Sequence, residues 1–270
     1  MSHPDPNVNN FKITLSYDGQ NYFGWQRHGD KPTLQYAIEN AIEKGLGTRV
    51  AVRGSGRTDR GAHANGQVVS VNLPSAIQVG DIQKSCNDFL SEDIRIVDVE
   101  SVPLDFHACD SAIAKHYRYV IWNERKLPDN RTGRVWHVKE PLDVQAMIDA
   151  CSVFEGENDF SSFATRPNFK QKSTTRTVSK AVMFEELPLI TFDIYANGFL
   201  YKMVRNIVRA IVKVGEGRYN RNDLYHIMKA KDRKASPGTA PASGLYLEQV
   251  FYSQDDLRKN LERELCYESI

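Results

Sequence analysis

Residues 53–64 read Arg-Gly-Ser-Gly-Arg-Thr-Asp-Arg-Gly-Ala-His-Ala, and this stretch concentrates the residue types that can do chemistry. Gly54, Gly56 and Gly61 permit tight backbone geometry. One carboxylate, Asp59, stands among Arg53, Arg57, Arg60 and the nearby Arg49. A carboxylate among cations stays ionised, because the opposite charges favour its charged form. That suits a nucleophile or a general base better than a general acid. The stretch is not a P-loop, since no Gly-Lys-Ser/Thr ends it, nor a dinucleotide fingerprint, since no helix opens after its glycines. A plainer reading is a glycine-rich hairpin loop in which Asp59 caps or pairs with Arg57 or Arg60.

Either reading places the stretch between strands, and the flanking periodicities agree. Phe11, Ile13, Leu15 and Tyr17 alternate with polar residues as a half-buried strand does, and Asp18-Gly19 supplies turn chemistry. After Pro32-Thr33, Leu34, Ala37, Ile38, Ala41 and Ile42 fall at helical spacing, with Gly45 and Gly47 as the stop. Strands are expected over residues 50–53 and 68–73, a helix through Ile82, Cys86, Phe89 and Leu90, and a strand over 94–99. The order is β-α-β-β-α-β. It recurs as a strand at 117–122, a helix at 144–154, strands at 178–184 and 189–195, and a helix at 200–214. A further helix at 224–228 and a strand at 245–252 complete it.

This pattern predicts an α+β fold of two ferredoxin-like, RRM-like halves sharing an extended, largely antiparallel sheet with the helices on one face. The other face would be open to a ligand. The expected boundaries are a disordered tail at 1–10, a first half with the glycine-rich loop at 11–105, a second half at 106–252 and a charged helix at 253–270 without a wide apolar stripe.

Composition narrows the function classes. The 35 Lys and Arg nearly balance 34 Asp and Glu, a formal charge of +1, which excludes a histone-like cation. With 41% apolar residues there is material for a sizeable core. No run approaches the roughly 18 apolar residues of a spanning helix, and residues 1–10 lack a signal peptide's apolar region. A soluble, cytoplasmic protein without a membrane partner is expected. Cys86, Cys109, Cys151 and Cys266 are too scattered for a metal or redox motif and are expected to be buried thiols.

Tyr17-Asp18-Gly19, Gly24-Trp25-Gln26 and Gly56-Arg57-Thr58-Asp59-Arg60-Gly61-Ala62-His63-Ala64 closely resemble the tRNA pseudouridine synthase A family. The resemblance continues, in that family's order, through Lys115-His116-Tyr117-Arg118-Tyr119, Asp159-Phe160-Ser161-Ser162-Phe163, Phe199-Leu200-Tyr201-Lys202-Met203-Val204-Arg205-Asn206 and Ala240-Pro241-Ala242-Ser243-Gly244-Leu245-Tyr246-Leu247. It covers residues 11–252. Ala62 departs from it, standing where the family more often carries valine.

The resemblance implies a homodimer, without cofactor or metal, that converts uridine to pseudouridine on the three-prime side of the tRNA anticodon stem-loop. The N1–C1′ bond must break, the uracil turn over, and C5 rejoin the sugar. Asp59 is implied as the catalytic residue, acting as a nucleophile or as the base that removes a ribose proton. Tyr117 is implied to stack on the target uracil, an interaction worth roughly 1–3 kcal/mol per base; a lone aromatic in a strand is otherwise a core residue. Arg205 is implied beside the aspartate, whereas its place in a row with Arg209 and Lys213 would by itself suggest a solvated helix face. Arg57 is assigned to a phosphate or ribose of the flipped nucleotide and Leu245 to the substrate-binding set. His63 receives no chemical step.

Between residues 163 and 180 lie Arg166, Lys170, Lys172, Arg176 and Lys180 without an acid. Ordinarily this is solvated surface; with Arg49, Arg53 and Arg60 it would give a neutral protein one basic face for the phosphate backbone. Two rival classes fare worse. A pair of RNA-binding RRM units lacks the aromatic-rich motif on its third strand, and a hydrolase built on Asp59 lacks a partner carboxylate.

Overall fold

A computed structural model describes residues 7–165 and 173–267. Two compact units divide between Ala112 and Ile113, except that Leu247–Val250 group with the first. Among the described residues the protein is mixed α+β, with mostly antiparallel strands and six α-helices. Residues 1–6 of the expected tail, residues 268–270 and the sites Arg166, Lys170 and Lys172 lie outside the described residues.

The first unit runs β1 (Val8–Tyr17), α1 (Leu34–Leu46), β2 (Arg53–Gly54), β3 (His63–Pro74), α2 (Val79–Asn87) and β4 (Ile94–Val102). β1 lies between β3 and β4, antiparallel to both, with Ile13 opposite Val69 on one side and Val99 on the other. Phe11, Ile13, Leu15 and Tyr17 are all buried, as their alternation requires. Leu34, Ile38, Ala41 and Ile42 bury one stripe of α1, which packs on α2, and Gly47 ends it with left-handed φ of 67°. β1 starts at Val8, which pairs with Pro74, so residues 8–10 are strand rather than disordered tail. The strand expected over 50–53 contracts to two residues. Its Val52 N–H is donated to the Glu39 carboxylate on α1 at 3.1 Å, and Gln35 donates to Val52 O, so Val52 hangs from the helix and only Arg53 and Gly54 pair, with Ser70 and Val69 of β3.

The second unit runs β5 (Ala114–Trp122), β6 (Trp136–His137), α3 (Val144–Cys151), β7 (Gly156–Asp159), β8 (Thr175–Glu186), β9 (Leu189–Ala196), α4 (Met203–Gly215), α5 (Arg221–Ala230), β10 (Leu245–Phe251, its middle grouped with the first unit) and α6 (Gln254–Tyr267). β9 lies between β5 and β8, antiparallel to both. β7 extends this sheet on β8, and β6 pairs parallel with β5; neither short strand has a periodicity long enough to be read from sequence. α4 starts at Met203, not residue 200, because Lys202 takes a left-handed φ of 61° just before it. Its buried row, with Val204, Ile207, Val208 and Ile211 at its centre, packs against α3. α6 has a narrow apolar edge that is nonetheless used: Leu257 and Leu261 rest on Ala114, Tyr195 and Phe251, and Tyr195 donates to Asn260 at 2.9 Å. Cys86 and Cys151 are buried, and burial pushes the Cys86 thiol up to about 11; Cys109 is exposed, contrary to expectation. No described helix is long and apolar enough to cross a membrane.

Candidate active site

The loop carrying Asp59 has almost no ladder of its own, and neighbouring backbone holds it instead. Trp25 N–H donates to Thr58 O at 3.1 Å, and Ala62 N–H closes a turn on Asp59 O at 3.1 Å, where Gly61 takes φ of 78°. Two glycines of the Tyr17–Gln26 segment lie against this backbone. A Cβ on Gly19 would sit 1.8 Å from Ala62 O, and one on Gly24 would sit 2.9 Å from Thr58 O. No side chain fits in either place.

Beneath the loop is a chain of buried neutral hydrogen bonds. Gln67 donates to Gly56 O at 3.0 Å and to Tyr17 Oη at 3.4 Å, and accepts from Ser55 Oγ at 2.7 Å. The Tyr17 and Thr58 hydroxyls then share a hydrogen bond at 2.8 Å. Burial pushes the Tyr17 phenol up to about 12, so the network stays neutral. The residue before Asp59 is thereby fixed while the Asp59 side chain stays partly exposed. Arg49, Arg53, Arg57 and Arg60 are exposed, and none forms an ion pair with a described acid. His63 is buried, with Nδ1 3.2 Å from Gly19 N and 3.1 Å from Asp18 Oδ1, in a structural position.

In the second unit, Arg205 lies in the first turn of α4. Its Nε–H donates to Ala240 O at 2.7 Å and its carbonyl accepts Ala240 N–H at 3.1 Å, so the guanidinium is oriented by the segment that leads to Leu245. That segment is fixed in turn by Tyr119, whose hydroxyl donates to Pro241 O at 2.7 Å. A Cβ on Gly244 would meet the Tyr119 ring at 2.7 Å. Asn206, fully buried, donates to Phe163 O at 2.6 Å and accepts from Thr239 and Arg233. The blocks at 159–163 and 199–206 are thus tied to each other and to Arg233 and Thr239 through one amide. Tyr117 is buried on β5, edge-on to Phe199 with centroids 4.9 Å apart, and Leu245 is buried at the start of β10. Arg176 donates to its own neighbours' carbonyls, Ser173 O and Thr175 O, and burial pushes its pKa down.

A family model described as tRNA pseudouridine synthase matches residues 13–109 and 150–253. The chain belongs to the tRNA pseudouridine synthase family. It is 39% identical to tRNA pseudouridine synthase A of Methylacidiphilum infernorum over 91% of this chain and 96% of that one. It is 41% identical to the protein of that name from Caldicellulosiruptor saccharolyticus, over 91% of this chain and 100% of that one. Bartonella tribocorum has another at 39%, over 91% and 100%. Membership makes the chain an isomerase that converts uridine to pseudouridine in tRNA.

Sequence reasoning missed the residues that hold the site. Gln67 is one of several polar residues of β3 and gave no signal of its own, whereas Asp193 is a lone acid in β9, and a single acid inside an apolar strand was the available signal. Asp193 is fully buried, where it lies 2.5 Å from His116 Nε2 and receives a two-pronged Arg118 guanidinium at 2.9 Å. Burial works against its charge, yet the bonds from His116 and Arg118 hold its carboxyl below the ordinary carboxylate range.

Proposed function

We propose that the chain acts on uridines of the tRNA anticodon stem-loop and that Asp59 is the catalytic carboxylate. The observation that carries this is a partly exposed Asp59 whose backbone is fixed on both sides and whose neighbouring arginines Arg49, Arg53, Arg57 and Arg60 are exposed, without an ion pair to a described acid. Fixing the carboxylate lowers the entropic cost of meeting the sugar or base, and unpaired arginines remain for phosphates. The N1–C1′ bond breaks, C5 attacks C1′, the C5 proton leaves and N1 gains one, so the reaction is an isomerisation with no redox balance to supply. Asp59 acts as nucleophile or as base. The target uridine leaves its stack to reach it.

Tyr117, supported edge-on by Phe199, stacks on the uracil, and Leu245 gives it an apolar wall. Arg57 takes a phosphate or ribose, Arg205 an anionic group at the reacting centre, and Arg49, Arg53, Arg60, Arg166, Lys170, Lys172 and Arg176 the backbone. The resemblance further implies a cytoplasmic homodimer working without a cofactor. Two ferredoxin-like halves are proposed as the frame, supported by the strand order β4-β1-β3-β2 in the first unit and β5-β9-β8 in the second.

Tritium release from uridine-labelled tRNA tests the assignment. Asp59→Asn should abolish release while keeping tRNA affinity, and substantial residual activity would remove Asp59 from the chemistry. In the same assay Tyr117→Leu should lose more than Tyr117→Phe; near-wild-type turnover in both would return Tyr117 to the core.

A further inference from the structure

Phe23 is held from two sides by backbone. Its N–H donates to Pro32 O at 2.8 Å, and Leu34 and Gln35 donate to Gly24 O and Trp25 O at 3.2 and 3.0 Å, so residues 23–25 run beside 32–35. On the other side Trp25 is bonded to Thr58, and Gly24 is so close to the loop that a Cβ there would lie 3.2 Å from Arg60 N. The ring therefore stands between the origins of two cationic side chains. The Arg60 guanidinium carbon lies over it at 4.1 Å from the centroid, and the Lys31 ammonium at 5.0 Å. Both cations and the ring are exposed, and neither cation pairs with a described acid.

A ring quadrupole attracts each cation, but two like charges gathered on one ring repel, and the balance improves when an anion joins them. Arginine suits the paired oxygens of a phosphodiester and lysine adds a point charge. With cations over it, the ring supports them rather than serving as a platform for a base. We propose that Phe23 is a positioning residue that holds Arg60 and Lys31 together as a clamp for one stretch of tRNA phosphodiester beside the Asp59 loop. This rests on the tRNA substrate proposed above and adds the aromatic strut and Lys31 to it.

The test is a salt titration of affinity for an unmodified tRNA transcript. Lys31→Gln should lower the slope of log affinity against log salt by about 0.7–0.9, the loss of one phosphate contact. Phe23→Leu removes no charge, yet it should also lower the slope and weaken low-salt binding about fivefold, a cation–π-sized loss. Phe23→Tyr should restore both. In the Phe23→Leu background, Lys31→Gln should change the slope little further. A wild-type slope in Phe23→Leu, or an equal loss from Lys31→Gln in both backgrounds, overturns the clamp. Should Phe23→Leu fail to fold, Lys31→Gln decides alone, and an unchanged slope overturns the proposal. Tritium release by Asp59→Asn reads chemistry rather than slope, so the two proposals fail separately.

Discussion

Asp59 in the first unit and Arg205 in the second are held by opposite means. Asp59 rides on a loop gripped by close backbone contact at Gly19 and Gly24 and by neutral hydrogen bonds through Tyr17, Thr58 and Gln67. Arg205 rides on a regular helix, in a unit that buries full charge at Asp193 and ties its motif blocks through Asn206. A loop lacks the repeating ladder that makes a helix stiff, so it depends on shape at a few positions. A helix is already stiff, and only its orientation against its neighbours must be specified. The two units should therefore fail differently, one through sterics that ignore pH, the other through charge that titrates.

The largest expected effect tests the charged side. Asp193→Asn leaves His116 and Arg118 facing a neutral amide in a fully buried place. Breaking such a pair costs about 3–5 kcal/mol, and the lower end applies because Arg118 is 36% exposed and can turn to water. The Asp193 carboxyl is held below its unfolded value, so its stabilisation is present above roughly pH 4 and is lost as pH falls through the folded value. The variant should be less stable in denaturant at pH 7 and show a flatter loss of stability on the acid side. Flattening should be partial, since Asp159 is also held low, against some desolvation, by bonds from Thr174 and Ser161. An acid limb as steep as the wild type's would break the contrast.

Gly19→Ala tests the steric side. Its Cβ would meet a backbone carbonyl, Ala62 O, that cannot swing aside as a side chain would. Overpacking of this kind costs about 1–3 kcal/mol. Because Ala62 follows Asp59 by three residues, pseudouridine formation should fall more steeply than the stability loss alone explains. The loss should be the same at pH 5 and pH 8. A fully active Gly19→Ala variant would show that the close approach is incidental.

What was legible in the sequence follows the same division. Long periodic segments such as β1, α1 and α4 announce themselves because burial on one face forces a repeat, and the loop around Asp59 announces itself by composition. Illegible were the partners that act across distance. Glu39 capturing Val52 N–H shortened a strand, Lys202 in a left-handed turn delayed a helix, and the Asp193 cluster joins residues 75 and 77 apart. None of these leaves a local period. The candidate site was read largely by resemblance, whereas the reason for Tyr17-Asp18-Gly19 and Gly24-Trp25 became physical only when their backbones met Thr58, Arg60 and Ala62.

Tyr17→Phe carries the smallest expected effect and is the finest probe of how the neutral scaffold serves Asp59. The substitution keeps the buried ring and removes one hydroxyl, so packing is preserved and only the bonds with Thr58 Oγ1 and from Gln67 are lost. A net hydrogen bond is worth about 0.5–1.5 kcal/mol, and the hydroxyl of buried Thr58 would lose this partner. Stability should fall by about 1 kcal/mol, without pH dependence below pH 9, because the Tyr17 phenol stays protonated throughout that range. The turnover constant should fall by more than tRNA affinity, since Thr58 precedes Asp59 and the bond sets the carboxylate's bearing rather than the docking of the backbone. Equal losses in both would mean that the network merely supports the fold, and the contrast between a loop held by shape and a unit that buries charge would then concern stability alone.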